Sequence, residues 1–129
     1  MSAGREVLVV EDDPDMAAVV QMIVAEAGYQ VRTAGDGAEA LERIAERMPG
    51  VILLDMRMPV MDGWEFAREF GARFGRAAPI VVITAAENAR ARAEEIGADG
   101  WLEKPFELDE VVRMVSRFLG PSEGDATVP

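Results

Sequence analysis

The residues able to do chemistry in this chain are few in kind and unevenly placed. Among its 129 residues there is no cysteine and no histidine. Disulfides, thiolate nucleophiles, Cys-based zinc sites, Ser-His-Asp triads and imidazole acid–base chemistry are therefore excluded. What remains is carboxylate, hydroxyl, amine and backbone. Glu11-Asp12-Asp13 follow the apolar run Val7-Leu-Val-Val10, and Asp55 follows Val51-Ile-Leu-Leu54. After a third run, Ile80-Val-Val-Ile83, comes Thr84 with the small pair Ala85-Ala86. Lys104-Pro105 closes Gly100-Trp-Leu-Glu103, and Lys104 is the single lysine beside twelve arginines. A lone point charge on a flexible stem suits an anion that arginine's planar fork would not serve. The cation such acids can hold is a hard one, magnesium or calcium. The Lys104-Pro105 bond, at such a bend, is a candidate for the cis form.

Elements with strict positions must gather these groups. The three apolar runs are short, β-branched and apolar on both faces, as strands covered on both sides require. Tyr29-Gln-Val-Arg-Thr33 and Gly100-Trp-Leu-Glu103 alternate instead and read as the edges of the same sheet. Between them lie helical stripes. The first, Met16, Val19, Val20, Ile23, Val24 and Ala27, is opened by the cap Asp13 with Pro14 and closed by Gly28. The second is Ala38, Leu41, Ile44, Ala45 and Met48, stopped by Pro49-Gly50. The third is Phe66, Ala67, Phe70 and Phe74, begun by Asp62-Gly63. Residues 88 to 96 make a weakly amphipathic fourth. The fifth is Leu108, Val111, Val112, Val115, Phe118 and Leu119, ended by Gly120-Pro121. Residues 1–120 thus read as one domain and 121–129 as a disordered tail or linker stump.

Alternating strands and helices predict an α/β fold, a doubly wound five-stranded parallel sheet with five helices on both faces. Edge polarity predicts the order 2-1-3-4-5, whose ligands sit at the switch between strands 1 and 3. Glu11, Asp12 and Asp55 end those two strands. Carboxylates so close raise one another's pKa unless a cation lies among them. Magnesium suits the set, taking one or two carboxylates, waters and a phosphate oxygen. Asp13 reads as a helix cap only.

The formal charge is −11, from 24 acidic and 13 basic residues. Such a chain does not bind nucleic-acid backbone non-specifically and is repelled by anionic membranes. No apolar run approaches a membrane span, and Met1-Ser-Ala-Gly-Arg-Glu lacks a signal-peptide core, so a cytoplasmic protein is expected.

The motifs in order resemble the receiver domain of two-component response regulators. They are Val-Leu-Val-Val-Glu11-Asp12-Asp13, Leu-Leu-Asp55-Met-Arg-Met-Pro59-Val-Met-Asp62-Gly63, Ile83-Thr84-Ala85, Gly97-Ala-Asp-Gly100 and Trp101-Leu-Glu-Lys104-Pro105-Phe106. The similarity spans residues 6 to 119. It implies that Asp55 is the phosphoacceptor and that Glu11, Asp12, Asp55 and the Arg57 carbonyl hold Mg2+. It implies that Thr84 and Lys104 bind phosphoryl oxygens and that Trp101 stands at an aromatic switch position. Tryptophan there is larger than the family's usual tyrosine or phenylalanine. Its rival reading is a half-buried edge aromatic. Arg57 and Ala86 would flank the phosphoryl group and tune its hydrolysis, and Trp64 reads as core.

The implied partners are a sensor histidine kinase or histidine phosphotransfer protein as donor and a downstream protein target. The chain would be no enzyme beyond its own phosphoryl transfer and slow dephosphorylation. The oligomeric state stays open, with a dimer through helix 4, strand 5 and helix 5 as one form. No DNA-binding output region is expected within the chain, so it reads as a stand-alone receiver or a piece of a longer regulator. The alternative is a receiver-like interaction module that binds partners without phosphorylation. Gly35-Asp-Gly37-Ala-Glu-Ala40 matches a dinucleotide fingerprint, but Asp36 would meet the pyrophosphate and no second mononucleotide half exists. Asp13-Pro-Asp15 lacks the rest of an EF-hand loop.

Overall fold

The computed structural model describes residues 5–84 and 88–121. Its elements in chain order are β1 (Glu6–Val10), α1 (Pro14–Glu26), β2 (Gln30–Ala34), α2 (Gly37–Glu46) and β3 (Val51–Asp55), followed by α3 (Gly63–Phe74), β4 (Ile80–Thr84), α4 (Ala89–Ile96), β5 (Gly100–Glu103) and α5 (Leu108–Leu119). The strands form one parallel sheet in the order β2-β1-β3-β4-β5. The two alternating segments are its edges, as their polarity predicts. Every residue of β1, β3 and β4 is buried.

Because side chains alternate across a strand, each apolar run feeds two cores. Leu8, Val10, Ile52, Leu54, Ile80 and Val82 pack with Leu41, Ile44, Phe66, Phe70 and Ala93 of α2, α3 and α4. Val7, Val9, Val51, Leu53, Val81 and Ile83 pack with Val20, Val24, Val111, Val115 and Leu119 of α1 and α5. Three helices therefore cover one face and two the other. Each large side chain so enclosed contributes about 1.5–3 kcal/mol relative to exposure.

The first three helices are started by carboxylates. Asp13 accepts from the Asp15 and Met16 amides at 3.0 and 3.4 Å, Asp36 from Glu39 at 2.8 Å, and Asp62 from Glu65 at 2.9 Å. Each satisfies an amide that the first helical turn leaves without a partner. Asp36 is thus a cap, and the Gly-Asp-Gly stretch is the turn into α2. Gly28, just past the α1 cap, has φ of 101°, a conformation open to glycine.

Three stripe residues prove to be outside the core. Val19 is 44% exposed and Leu108 64%, and Ala45 is exposed. α1 meets the sheet and α5 along Ala17, Val20 and Val24, so Val19 stands at the rim. Leu108 precedes the point where α5 reaches the sheet; Val111 is its first buried residue.

α3 is joined tightly to the strand before it. The Gly63 amide donates to the Met56 carbonyl at 3.0 Å. A Cβ at Gly63 would lie 2.5 Å from Met56 Sδ and 2.8 Å from Met56 Cα, whereas one at Gly71 would meet nothing within 4 Å. Gly63→Ala is therefore expected to cost about 1–3 kcal/mol. Gly71→Ala, in an exposed helix interior, should stabilise by up to about 1 kcal/mol. Urea denaturation midpoints moving in these opposite directions at unchanged slope would bear this out; equal midpoints would refute it.

Candidate functional site: an acidic crevice at the strand ends

Four neighbouring strand ends build the crevice. β1 pairs with β3 through Val10↔Leu54, so Glu11 emerges beside Asp55, the last residue of β3. β3 pairs with β4 through Asp55↔Ile83, which puts Thr84 at the adjoining end. β5 follows, and the Lys104 amide donates to the Thr84 carbonyl at 2.9 Å. The Lys104–Pro105 bond is cis.

Glu11 and Asp55 are buried, at 5% and 6% exposure, while Asp12 is exposed beside them. One carboxylate oxygen from each of the three lies within 4.8 Å of the others, close enough to share one cation. Lys104 Nζ donates to Glu11 Oε1 at 2.9 Å and lies 4.0 Å from Asp55 Oδ2. The Asp13 amide donates to Glu11 Oε2 at 3.2 Å, and the Arg57 amide to Asp55 Oδ1 at 3.3 Å. Three carboxylates thus face one ammonium. Burial, and then the charge of Glu11, push the Asp55 pKa up to about 7 against the pull of Lys104 and the Arg57 amide. The sequence predicts mutual repulsion as the cause; burial ranks ahead of it because Asp55 ends an interior strand.

Glu6, at the opposite end of β1, shows the contrary arrangement. It is also buried, which alone would raise its pKa. Two arginines outweigh that: Arg47 donates to both carboxylate oxygens at 3.0 and 2.9 Å, and Arg32 Nε lies 2.9 Å from Oε1. The Glu6 carboxyl is held below its ordinary value. One end of the sheet is neutralised and the other is left short of positive charge.

The remaining predicted residues fall at different distances from this centre. Thr84 is buried at 1% exposure at the end of β4. Ala85 and Ala86 lie outside the described residues. The Arg57 side chain is exposed. Trp101 is 43% exposed on edge strand β5, with the Arg90 guanidinium 5.8 Å from its ring centroid. Trp64, expected in the core, is half-buried and packs against the core from its edge. It lines a cleft of about 410 Å³ with Asp12, Met56, Arg57, Met58, Pro59 and Asp62.

A larger cleft of about 520 Å³, at the other end of the sheet, is lined by Phe70, Ile80 and Ile96. Its one acid, Asp99, accepts from the Ile80 amide at 3.0 Å.

Sequence reasoning missed the tie between Trp64 of this cleft and α4. The Trp64 indole N–H donates to Glu95 Oε1 at 2.8 Å. The pair is 31 residues apart, and no periodic signal links them.

A parallel sheet in this order, with acids at the switch between its first and third strands, is a doubly wound α/β architecture of the kind that binds ligands at its strand ends. The chain belongs to the response regulator receiver domain family, whose model matches residues 7–116. It is 39% identical over 123 residues to the transcriptional regulatory protein PrrA of Mycobacterium tuberculosis, covering 94% of this chain and 52% of that protein. The chain spans about half the length of the curated relatives it matches.

Among solved structures it resembles the receiver domain of a Pseudomonas aeruginosa sensor histidine kinase, which has a magnesium ion coordinated in its active site cleft. The TM-score is 0.81 at 34% identity, over 91% of this chain and 98% of that one. The response regulator TrrA of Thermotoga maritima, solved with Mg2+ and BeF, aligns with a TM-score of 0.80 at 30% identity, over 89% and 99%. Receiver domains are signalling modules of two-component systems, and this chain is one of them. Among the described residues no helix is long and apolar enough to cross a membrane.

The raised Asp55 pKa sets a pH dependence for the metal-free chain. The folded state holds a proton on Asp55 that the unfolded chain releases near pH 3.8, so this stability is full below that value. It is lost as pH rises towards about 7. Asp55→Asn removes the buried charge and is expected to stabilise the metal-free chain at pH 8 by about 1–3 kcal/mol. Denaturation at pH 4.5 and pH 8 should show the gain chiefly at the higher pH. An equal or opposite effect at the two would contradict the burial argument.

Proposed function

We propose that this chain is a phosphorylatable switch of a two-component phosphorelay, with Asp55 as the phosphoacceptor. The observation that carries the reading is the crevice's charge: three convergent carboxylates against the one ammonium of Lys104. An all-oxygen set of this kind fits Mg2+, held by Glu11, Asp12, Asp55 and the Arg57 carbonyl, with Glu11 acting partly through water. Bound there, the ion would neutralise charge on the incoming phosphoryl group.

The chain's own residues do the rest. An Asp55 oxygen attacks phosphorus, forming an acyl phosphate as the bond from phosphorus to the donor's imidazole nitrogen breaks and the imidazole leaves. Because phosphoryl transfer passes through a loose transition state, positioning and charge stabilisation dominate. The Arg57 amide fixes the Asp55 carboxylate, and Lys104, 4.0 Å away, supplies positive charge to the phosphoryl oxygens. Thr84 would give its hydroxyl to the same oxygens. The chain has no histidine, so the phosphohistidine belongs to a sensor kinase or phosphotransfer protein. The dianion then biases the packing of α4, β5 and α5, the face that carries Trp101 and would meet a downstream protein target or a second copy. The chain would catalyse nothing beyond its own phosphorylation and slow dephosphorylation, and would work in the cytoplasm.

Incubation with a small acyl-phosphate donor and Mg2+ should add one phosphoryl group to the wild type by mass and none to Asp55→Asn. An unmodified wild type would favour the interaction-module reading, and equal labelling would move the acceptor elsewhere. Mg2+ should also quench tryptophan fluorescence, since Trp64 shares its cleft with Asp12. Asp12→Ala should weaken that titration at least tenfold; an unchanged titration would remove Asp12 from the metal set.

A further inference from the structure

We infer that Trp64, Arg92 and Glu95 form a clasp that couples the acidic crevice to helix α4, acting as positioning residues rather than as ligands. The inference rests on the reading of Asp55 as the acceptor beside a bound dication. The clasp is a closed set of three contacts. The Trp64 indole N–H donates to Glu95 Oε1 at 2.8 Å, and Arg92 donates to Glu95 Oε2, also at 2.8 Å. The Arg92 guanidinium lies 5.9 Å from the Trp64 ring centroid, a cation–π distance. Among the described residues Arg92 Nε has no hydrogen-bond partner, and the guanidinium contacts Glu95 and the indole face.

A continuous path runs from the crevice to this clasp. The Arg57 amide binds Asp55 Oδ1, and the Met56 carbonyl between them accepts from Gly63. Gly63 fits against Met56 with no room for a Cβ, so the start of α3 follows any shift of the β3–α3 turn. Trp64 is the next residue, and its ring lines the cleft with Asp12.

At the far end α4 is held lightly. It has eight residues, buries only Ala89 and Ala93, and starts from Asn88 in a left-handed conformation without a side-chain cap. Beyond these two alanines and the partly buried Ile96, the Trp64–Glu95 hydrogen bond is a direct side-chain tie between α4 and α3. The clasp holds α4 as it stands in the metal-free chain. Filling the crevice displaces Trp64 against it, and by linkage, loosening the clasp must ease filling of the crevice.

The test compares Glu95→Gln with Glu94→Gln, the same charge change one residue away at a pair outside the clasp. Two readouts are needed: hydrogen exchange of the 90–96 amides in the metal-free chain, and the dissociation constant for Mg2+ with beryllofluoride by calorimetry. Glu95→Gln should speed exchange and tighten binding, each by about threefold to tenfold, while Glu94→Gln matches the wild type. Trp64→Phe, which keeps a ring but loses the N–H, should speed exchange alike. A change in one readout only, or identical behaviour of the two glutamate variants, overturns the coupling and leaves the site reading intact. A wild type that binds neither Mg2+ nor the fluoride complex overturns both.

Discussion

The arrangement on which the rest depends is the unequal distribution of charge between the two ends of the sheet. At the start of β1 one buried carboxylate, Glu6, is met by two guanidinium groups. At the ends of β1 and β3 three carboxylates meet one ammonium. The first arrangement is self-sufficient and serves as a staple between β1, β2 and α2. The second is not. Asp55, buried there with Glu11, has its pKa pushed up to about 7 by burial first and by the charge of Glu11 second, and an added cation would favour its charged form. The proposed phosphoryl transfer would use such an imbalance, because the acids would bind a cation and still leave one oxygen to attack phosphorus.

The imbalance can persist because the strands carrying it are rigid. β1, β3 and β4 are buried along their whole length and belong to two cores at once. The carboxylates cannot separate to relieve their repulsion without disturbing both faces of the sheet. Against this fixed centre stands α4, a short helix that buries two alanines, packs Ile96 partly against the core and adds side-chain contacts to α3 and β5. A stiff site beside a lightly held helix is a physical basis for turning a local change of charge into a change of surface.

Much of this is legible along the chain. The three apolar runs and two alternating segments identify interior and edge strands, and edge polarity with right-handed crossovers leads to the observed order. Asp13-Pro14 can be recognised as a cap and Asp62-Gly63 as a helix start from their immediate neighbours. Less is legible where burial depends on the angle at which a helix meets the sheet. Val19 and Leu108 belong to their stripes by spacing yet lie at rims, since a stripe says which side faces inward and not how far the contact extends. Trp64 is a mixed case: its ring packs against the core as its apolar character suggests, while its indole N–H reaches Glu95, which no local pattern signals.

By itself, then, the order of residues determined the strand pattern, the absence of thiol and imidazole chemistry, and the set Glu11, Asp12, Asp55, Thr84 and Lys104, because each follows from local periodicity or composition. Tertiary structure decided what those residues experience. Only pairing in the sheet brings Lys104 within 2.9 Å of Glu11 across 93 positions, and only enclosure by both helical layers makes burial the foremost influence on Asp55. The clasp from Trp64 to Glu95 has the same origin, for contacts between distant positions depend on how layers pack, and packing is a property of the whole chain.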